Sequence, residues 1–157
     1  MYLLDTDHLS LLQRGTLAGR LIVFRLANSG VPFRTTIITY QEQTRGWLSH
    51  LARARNFNEQ VAAYQLLQQH AVNYRDIPIV AFDQAAVQTY QRLQKAYPRL
   101  ATMDLKIAAI AMTHSAILLT TLFMRRSQCR PPRRKFTRLL IVQVGESHRA
   151  SAWTILV

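Results

Sequence analysis

The chain is organised around its first stretch, Tyr2–Leu9, with the sequence YLLDTDHL. Its first three residues are apolar or aromatic and predict a short buried strand, which Asp5 closes just before a helix begins. In an open parallel sheet, ligands bind outside the carboxyl ends of the strands, so we expect Asp5 at that edge. Asp7 falls in the first turn of the helix, where the helix dipole favours an anion. The simpler alternative is that both acids only cap the helix.

Strands and helices alternate through residues 1–120, which predicts an α/β fold with three α/β/α layers and a central parallel sheet. The predicted strands are residues 2–4, 31–39, 77–82 and 116–120, and the predicted helices are about residues 6–14, 17–28, 40–53, 59–73, 84–95 and 103–113. We expect Asn58, Asp83 and Thr102 to cap three of the helices. Gly30 is expected to end another helix.

The chain of 157 residues suits a single domain, and it is strongly basic. It has 20 Lys and Arg against 8 Asp and Glu, a net charge of +12. Residues 1–120 hold 12 basic and 7 acidic side chains, whereas residues 121–157 hold 8 basic and 1 acidic. Such an excess favours a polyanionic partner such as RNA, DNA or an acidic protein segment.

Several other classes of protein fit the sequence poorly. Cys129 is the only cysteine, so the chain forms no internal disulfide and lacks the ligands of a cysteine-based zinc site. Asp5 and Asp7 interrupt the apolar run that a signal peptide would need. The uncharged stretch between Lys106 and Arg125 is marginally long enough to cross a membrane, but polar residues break it, and it fits a helix followed by a strand better. We therefore expect a cytoplasmic protein.

Three carboxylates lie close to the ends of predicted strands. Asp5 ends the first strand, and Glu42 lies in the first turn of the helix that follows the second strand. Asp104 lies in the first turn of the helix that precedes the last regular strand. In a parallel sheet all three would project from one edge. Clustered carboxylates repel each other unless a cation lies among them. Oxygen ligands without His or Cys indicate Mg²⁺ or Mn²⁺, ions that serve phosphodiester hydrolysis.

Each acid also has a simpler interpretation when it is taken alone. Glu42 can be a solvated acid that the helix dipole favours. Asp104 can be a second cap beside Thr102, or it can pair with Lys106. The equivalent positions of the three acids favour the shared site.

Three blocks of the sequence, Leu3–Asp7, Ile38–Glu42 and Asp104–Ala109, resemble conserved blocks of PIN-domain ribonucleases. The resemblance is greatest to the VapC-type toxins of bacterial type II toxin–antitoxin systems, and it covers about residues 1–120. It implies a PIN-like (Rossmann-like) fold and an endoribonuclease that depends on Mg²⁺ or Mn²⁺. It also implies an RNA substrate, a small cognate antitoxin as partner, and a homodimer. The residues that it assigns are Asp5, Glu42 and Asp104 as catalytic, metal-binding acids, Thr6 and Asp7 as supporting groups, and Thr120 as the threonine that ends the family's fourth strand.

The resemblance ends after Thr120. Family members continue into an Arg-Asn-x-x-Asp-Phe type of segment, whereas this chain reads TLFMRR at residues 121–126, and Glu146 is its only later acid. A changed reading frame after Thr120 or Thr121 would explain the departure. We therefore divide the chain into a PIN-like domain, residues 1–120, and an atypical basic C-terminal segment, residues 121–157. The alternative function is a catalytically degenerate PIN domain that binds an antitoxin or RNA.

The C-terminal segment and the histidines carry weaker signals. Residues 136–144 and 153–157 are candidate strands, and the basic residues around them either bind RNA nonspecifically or form a disordered extension. The five histidines show no metal-binding spacing, which predicts structural or surface roles for all of them. A nucleotide-binding domain is the weakest alternative, because no glycine-rich loop follows the first strand.

Overall fold

The computed structural model describes residues 1–120 and the backbone of two later strands. The strands are β1 (Tyr2–Leu4), β2 (Phe33–Thr36), β3 (Ile79–Val80), β4 (Ile117–Thr120), β5 (Leu140–Gln143) and β6 (Thr154–Leu156). The helices are α1 (Thr6–Gln13), α2 (Leu17–Ser29), α3 (Ile37–Ala52), α4 (Phe57–Arg75), α5 (Gln84–Ala96) and α6 (Thr102–Thr113).

The six strands form one sheet in the order β3-β2-β1-β4-β5-β6. The first four of these are parallel, with Leu3 of β1 opposite Arg34 of β2 on one side and Leu118 of β4 on the other. Strand β5 pairs antiparallel with β4, and β6 pairs antiparallel with β5. The predicted parallel sheet is therefore confirmed, and both candidate strands of the C-terminal segment extend it. Because β1, β2 and β4 are parallel neighbours, their carboxyl ends meet at one edge.

Apolar side chains cover both faces of the sheet and give the three predicted layers. Leu3 belongs to a buried cluster with Ile107 and Ile110 of α6. Its neighbour Leu4 belongs to the opposite cluster, where Leu9 of α1 also lies. Successive residues of a strand point to opposite faces, and each fully buried side chain of this kind contributes about 1.5–3 kcal/mol to folding.

Helix α3 begins earlier than the sequence pattern predicts. The run of β-branched residues at 31–39 predicts a strand, but β2 ends at Thr36 and the helix starts with Ile37. The Thr36 hydroxyl accepts a hydrogen bond from the Thr39 backbone N–H at 3.1 Å and so caps the helix. This local cap outweighs the strand propensity of the residues that follow it. Glu42 consequently lies in the second turn of α3, and the prediction of a first-turn position is wrong.

The other predicted caps have mixed outcomes. Asp83 is confirmed, because its carboxylate accepts from the Ala86 N–H at 2.8 Å. The prediction of Asn58 as a cap is wrong, because Asn56 caps α4 by accepting a hydrogen bond from the Glu59 N–H at 2.9 Å. The prediction of Thr102 as a cap is also wrong, because Thr102 is the first residue of α6 and the helix has no side-chain cap.

The remaining boundaries follow the sequence with small changes. Gly30 ends α2 in the left-handed conformation, as expected. Strand β3 is shorter than the predicted residues 77–82. The described part of the uncharged stretch after Lys106 forms the rest of α6 and β4. Among the described residues, no helix combines the length and apolar character that crossing a membrane requires.

Candidate functional site

Asp5 lies where β1 ends and α1 begins, and it is almost completely buried. Its Oδ1 atom accepts hydrogen bonds from the backbone N–H of His8 at 3.0 Å and from the ring Nδ1 of His8 at 3.0 Å. Its Oδ2 atom is also buried, and within residues 1–120 it has no well-formed hydrogen bond. Asp5 therefore caps the helix through Oδ1, and neither nitrogen of His8 bonds to Oδ2.

The carboxyl of Asp5 is held in its charged form. Burial by itself would raise the pKa and is the largest single effect. The hydrogen bonds from the side chain and backbone of His8 and from the side chain of Thr120 act together against it, so the net pKa of Asp5 lies below its usual value. Since Thr120 ends β4, the neighbouring strand β4 also contributes to the site.

Glu42 reaches the same edge from α3. It is half-buried, and the Thr6 hydroxyl donates a hydrogen bond to its Oε2 atom. The next residue, Gln43, is buried and ties α3 to its neighbours, because its amide donates to Ser10 Oγ at 3.0 Å and accepts from the Tyr74 hydroxyl at 2.8 Å. Helix α3 is therefore fixed against α1 and α4, which places Glu42 beside Thr6.

Asp104 is half-buried in the first turn of α6. Burial raises its pKa most, and the negative charges of Glu42, Asp5 and Asp7 raise it further. The structure thus brings all three acids close enough for their charges to interact, together with the exposed Asp7. Asp104 does not use Lys106 to offset this charge, since the Lys106 ammonium lies over the rings of Phe82 and Tyr90, 5.7 and 6.0 Å from their centroids.

The donor set of this edge fits a hard divalent cation. Carboxylate oxygens are the ligands that Mg²⁺ and Mn²⁺ prefer, and the buried Oδ2 of Asp5 lacks a well-formed hydrogen bond to the described residues. As the side chains stand, no three His, Cys, Asp or Glu of the described residues are close enough together to hold one ion. Glu42 and Asp104 are half-buried, whereas Asp5 is buried and held by His8. Ligation of one ion would therefore require the first two side chains to turn towards Asp5.

The sequence pattern missed the contacts that support these acids. All five histidines were expected to be structural or at the surface, and this expectation did not include the bond between the fully buried His8 and Asp5. The available signal was the spacing of three residues at a helix start, which brings the side chains of Asp5 and His8 together. His70 is buried against Tyr40 and Tyr74, and it agrees with a structural role. His148 lies outside the described residues.

No protein-family model matches the sequence, and no curated protein matches it. Solved structures do match the fold. VapBC2 from Rickettsia felis, bound to a DNA fragment from its promoter, matches at 16% identity and a TM-score of 0.56, over 78% of this chain and 88% of that chain. FitAcB from Neisseria gonorrhoeae matches at 24% identity and a TM-score of 0.55, over 76% and 86%. A toxin–antitoxin complex from Klebsiella pneumoniae matches at 21% identity and a TM-score of 0.50, over 79% and 88%.

These matches cover most of each related chain, so the likeness concerns a whole domain and not one motif. Their sequence identities are all low, so the likeness concerns the fold. The parallel strands β3-β2-β1-β4 with helices on both faces are the part that carries it. This chain therefore has the PIN-like α/β/α fold that it shares with chains of VapBC and other toxin–antitoxin complexes.

Proposed function

We propose that this chain is a divalent-metal-dependent endoribonuclease and the toxin of a toxin–antitoxin system. The observation that supports the activity best is the position of Asp5, Glu42 and Asp104 at one edge of the sheet, where burial and then the nearby charges of Glu42, Asp5 and Asp7 raise the pKa of Asp104. Carboxylates gathered in this way cost stability unless a cation offsets their charge. The shared fold with chains of toxin–antitoxin complexes supports the biological role.

Each acid has its own part in the proposed site. Asp5 is the fixed ligand, because both hydrogen bonds from His8 go to Oδ1 and neither goes to Oδ2. Glu42 is oriented by the Thr6 hydroxyl. Asp104 gains from a cation, since burial and the charges of its neighbours oppose its ionisation. A bound Mg²⁺ or Mn²⁺ supplies an activated water and offsets the charge that develops on the scissile phosphate.

The surface of the chain suits the two partners of such a toxin. The net charge of +12 attracts RNA, and Arg45, Arg53 and Arg55 of the α3 region are exposed and available to phosphates. Large apolar side chains are exposed on α2 and α4, including Phe24 and Phe57. Exposed apolar surface of this kind favours docking of a protein partner, which we propose is a small antitoxin, with a second copy of the chain completing a homodimer.

Cleavage of a mixed RNA pool tests the activity. We expect cleavage by the wild type with Mg²⁺ or Mn²⁺ and none with EDTA. Asp104→Asn should lower cleavage by on the order of 10²-fold or more, because it removes a charged ligand at nearly constant size. Asp104 is a better target than Asp5, which also caps α1. The matched control is Asp76→Asn, whose side chain is 73% exposed and pairs with Arg75.

The second candidate function is a degenerate PIN domain that binds RNA or an antitoxin without cutting. The spacing of the acids favours it, since the described residues place no three potential ligands around one point. Binding of RNA or antitoxin with no cleavage under any ion would support this candidate. Cleavage that persists in EDTA, or that Asp104→Asn leaves unchanged, would refute the metal mechanism.

A further inference from the structure

His8 contacts Asp5 through two of its nitrogen atoms. It lies in the first turn of α1 and is completely buried. Its backbone N and its ring Nδ1 are each 3.0 Å from the same Asp5 oxygen, Oδ1. Any residue at position 8 would supply the backbone contact. The ring contact belongs to the histidine, and neither capping nor apolar packing requires it.

The surroundings of the ring determine which nitrogen carries the proton. Nδ1 can hydrogen-bond to a carboxylate oxygen only as a donor. Nε2 is buried and has no hydrogen-bond partner in the described part of the chain. A proton on Nε2 would be an unsatisfied buried donor, which costs about 1–3 kcal/mol. The structure therefore favours the tautomer with the proton on Nδ1, which donates to Asp5.

We propose that His8 is a positioning residue of the metal centre: its Nδ1–H fixes Oδ1 of Asp5, so that Oδ2 is the oxygen presented to the ion. The inference rests on the proposed function, because it assigns a role within the same site. A helix cap alone holds Oδ1 by one hydrogen bond. The ring of His8 adds a second donor to the same oxygen and fixes its position more firmly, in the way that hydrogen-bonded partners commonly orient metal ligands.

Two substitutions separate positioning from packing. His8→Leu keeps a similar apolar volume and removes the donor. His8→Asn is smaller, but its side-chain amide nitrogen can occupy nearly the place of the ring Nδ1. We expect His8→Leu to weaken Mn²⁺ binding, measured by titration calorimetry, by on the order of 10- to 100-fold. His8→Asn should retain affinity close to that of the wild type.

Stability should follow the opposite order. His8→Asn leaves unfilled space in the core, whereas His8→Leu fills it, so His8→Asn should have the lower midpoint of thermal unfolding. A histidine with only a structural role would give the same order in both measurements. Mn²⁺ affinity that follows thermal stability would therefore overturn the proposal.

The same titration distinguishes failure of this proposal from failure of the proposed function. If the wild type binds no Mn²⁺, the metal centre and the role of His8 are both refuted. If Asp104→Asn loses binding while His8→Leu keeps it, the role of His8 alone is refuted. NMR of the wild-type chain with ¹⁵N-labelled histidine needs no variant to fold and reads the tautomer of His8 directly. A proton on Nε2 in place of Nδ1 would overturn the proposal.

Discussion

Asp5 and Asp104 lie at the same edge of the sheet, yet their pKa values shift in opposite directions. Burial acts on both carboxyls, but only Asp5 has donors that compensate for it, from His8 and Thr120. Asp104 has negative neighbours instead, and its pKa is raised. The fold therefore stabilises the charged form of Asp5, whereas the charged form of Asp104 lowers the stability of the fold. Shifted pKa values of this kind are common at functional sites.

The cost at Asp104 can be measured without a metal. Its folded-state pKa lies above the unfolded value, so ionisation costs stability above the folded pKa, and the penalty disappears as the pH falls below about 3.8. In EDTA at pH 7, we expect Asp104→Asn to raise the free energy of unfolding in urea by up to about 1 kcal/mol, since solvent screens a half-buried charge. The gain should shrink as the pH approaches 4.

Asp76→Asn serves again as the control, because it removes the same charge from an exposed position. It should change the free energy of unfolding by less than about 0.5 kcal/mol. An equal or larger gain in the control would show that the cluster of acids does not determine the effect.

For single residues, the position of each acid relative to a predicted strand end was sufficient to single out Asp5, Glu42 and Asp104 as neighbours at one edge of the sheet. Their role as metal ligands stays a prediction. The sequence could not predict the bond from Thr6 to Glu42, because that contact joins residues far apart in the chain. The sequence also could not predict that the Lys106 side chain lies over an aromatic ring, because that contact depends on how α5 packs against α6.

Among the elements, α1 and α2 meet at an unusually close approach. Gly19 of α2 is buried, and a Cβ atom built there would lie 2.1 Å from the carbonyl oxygen of Leu11. That atom belongs to the backbone of α1 and cannot move away as a flexible side chain would. The lack of a side chain at position 19 thus allows the two helices to pack together over Leu9 and Ile22, which belong to one core cluster.

Gly19→Ala should therefore destabilise the protein even though alanine favours helices. We expect a loss of about 1–3 kcal/mol in the free energy of unfolding, the usual cost of overpacking. Gly46→Ala in α3 is a matched control, because a Cβ atom there meets nothing within 4 Å. The control should gain up to about 1 kcal/mol from helix propensity. Equal changes in both variants, seen by urea unfolding, would mean that α1 and α2 can separate freely.

The junction of β2 and α3 shows what sequence periodicity could and could not predict about the elements. The existence and order of the elements in residues 1–120 followed from the alternation of apolar runs and caps. The boundary did not, because Phe33–Thr36 and the residues after it have the same β-branched composition. Burial of Ile38 against α6 and the cap by Thr36 decide the matter, and both depend on tertiary structure.

For the whole molecule, the sheet connects the candidate site to the C-terminal segment. Strand β4 is buried and lies between β1 and β5. Its last residue, Thr120, interacts with Asp5 and pairs with Leu140 of β5. The sequence predicted strands in this segment but not their antiparallel order, because no periodic pattern or turn signal there fixes which neighbour they join. The division at residue 120 stays a prediction, and the pairing of β4 with β5 gives a direct way to examine it.

Ending the chain after Thr120 should destabilise the PIN-like domain, because it exposes the hydrogen-bonding edge of β4 along the apolar residues Leu118 and Leu119. We expect a melting temperature lower by roughly 5 °C or more, together with aggregation. The control is a chain that ends after Gln143, which keeps β5 and, of the described strands, loses only β6. It should melt close to the full chain, since β4 remains covered. If residues 1–120 unfold cooperatively at the temperature of the full chain, β5 is not needed, and the two-part division of the chain is correct.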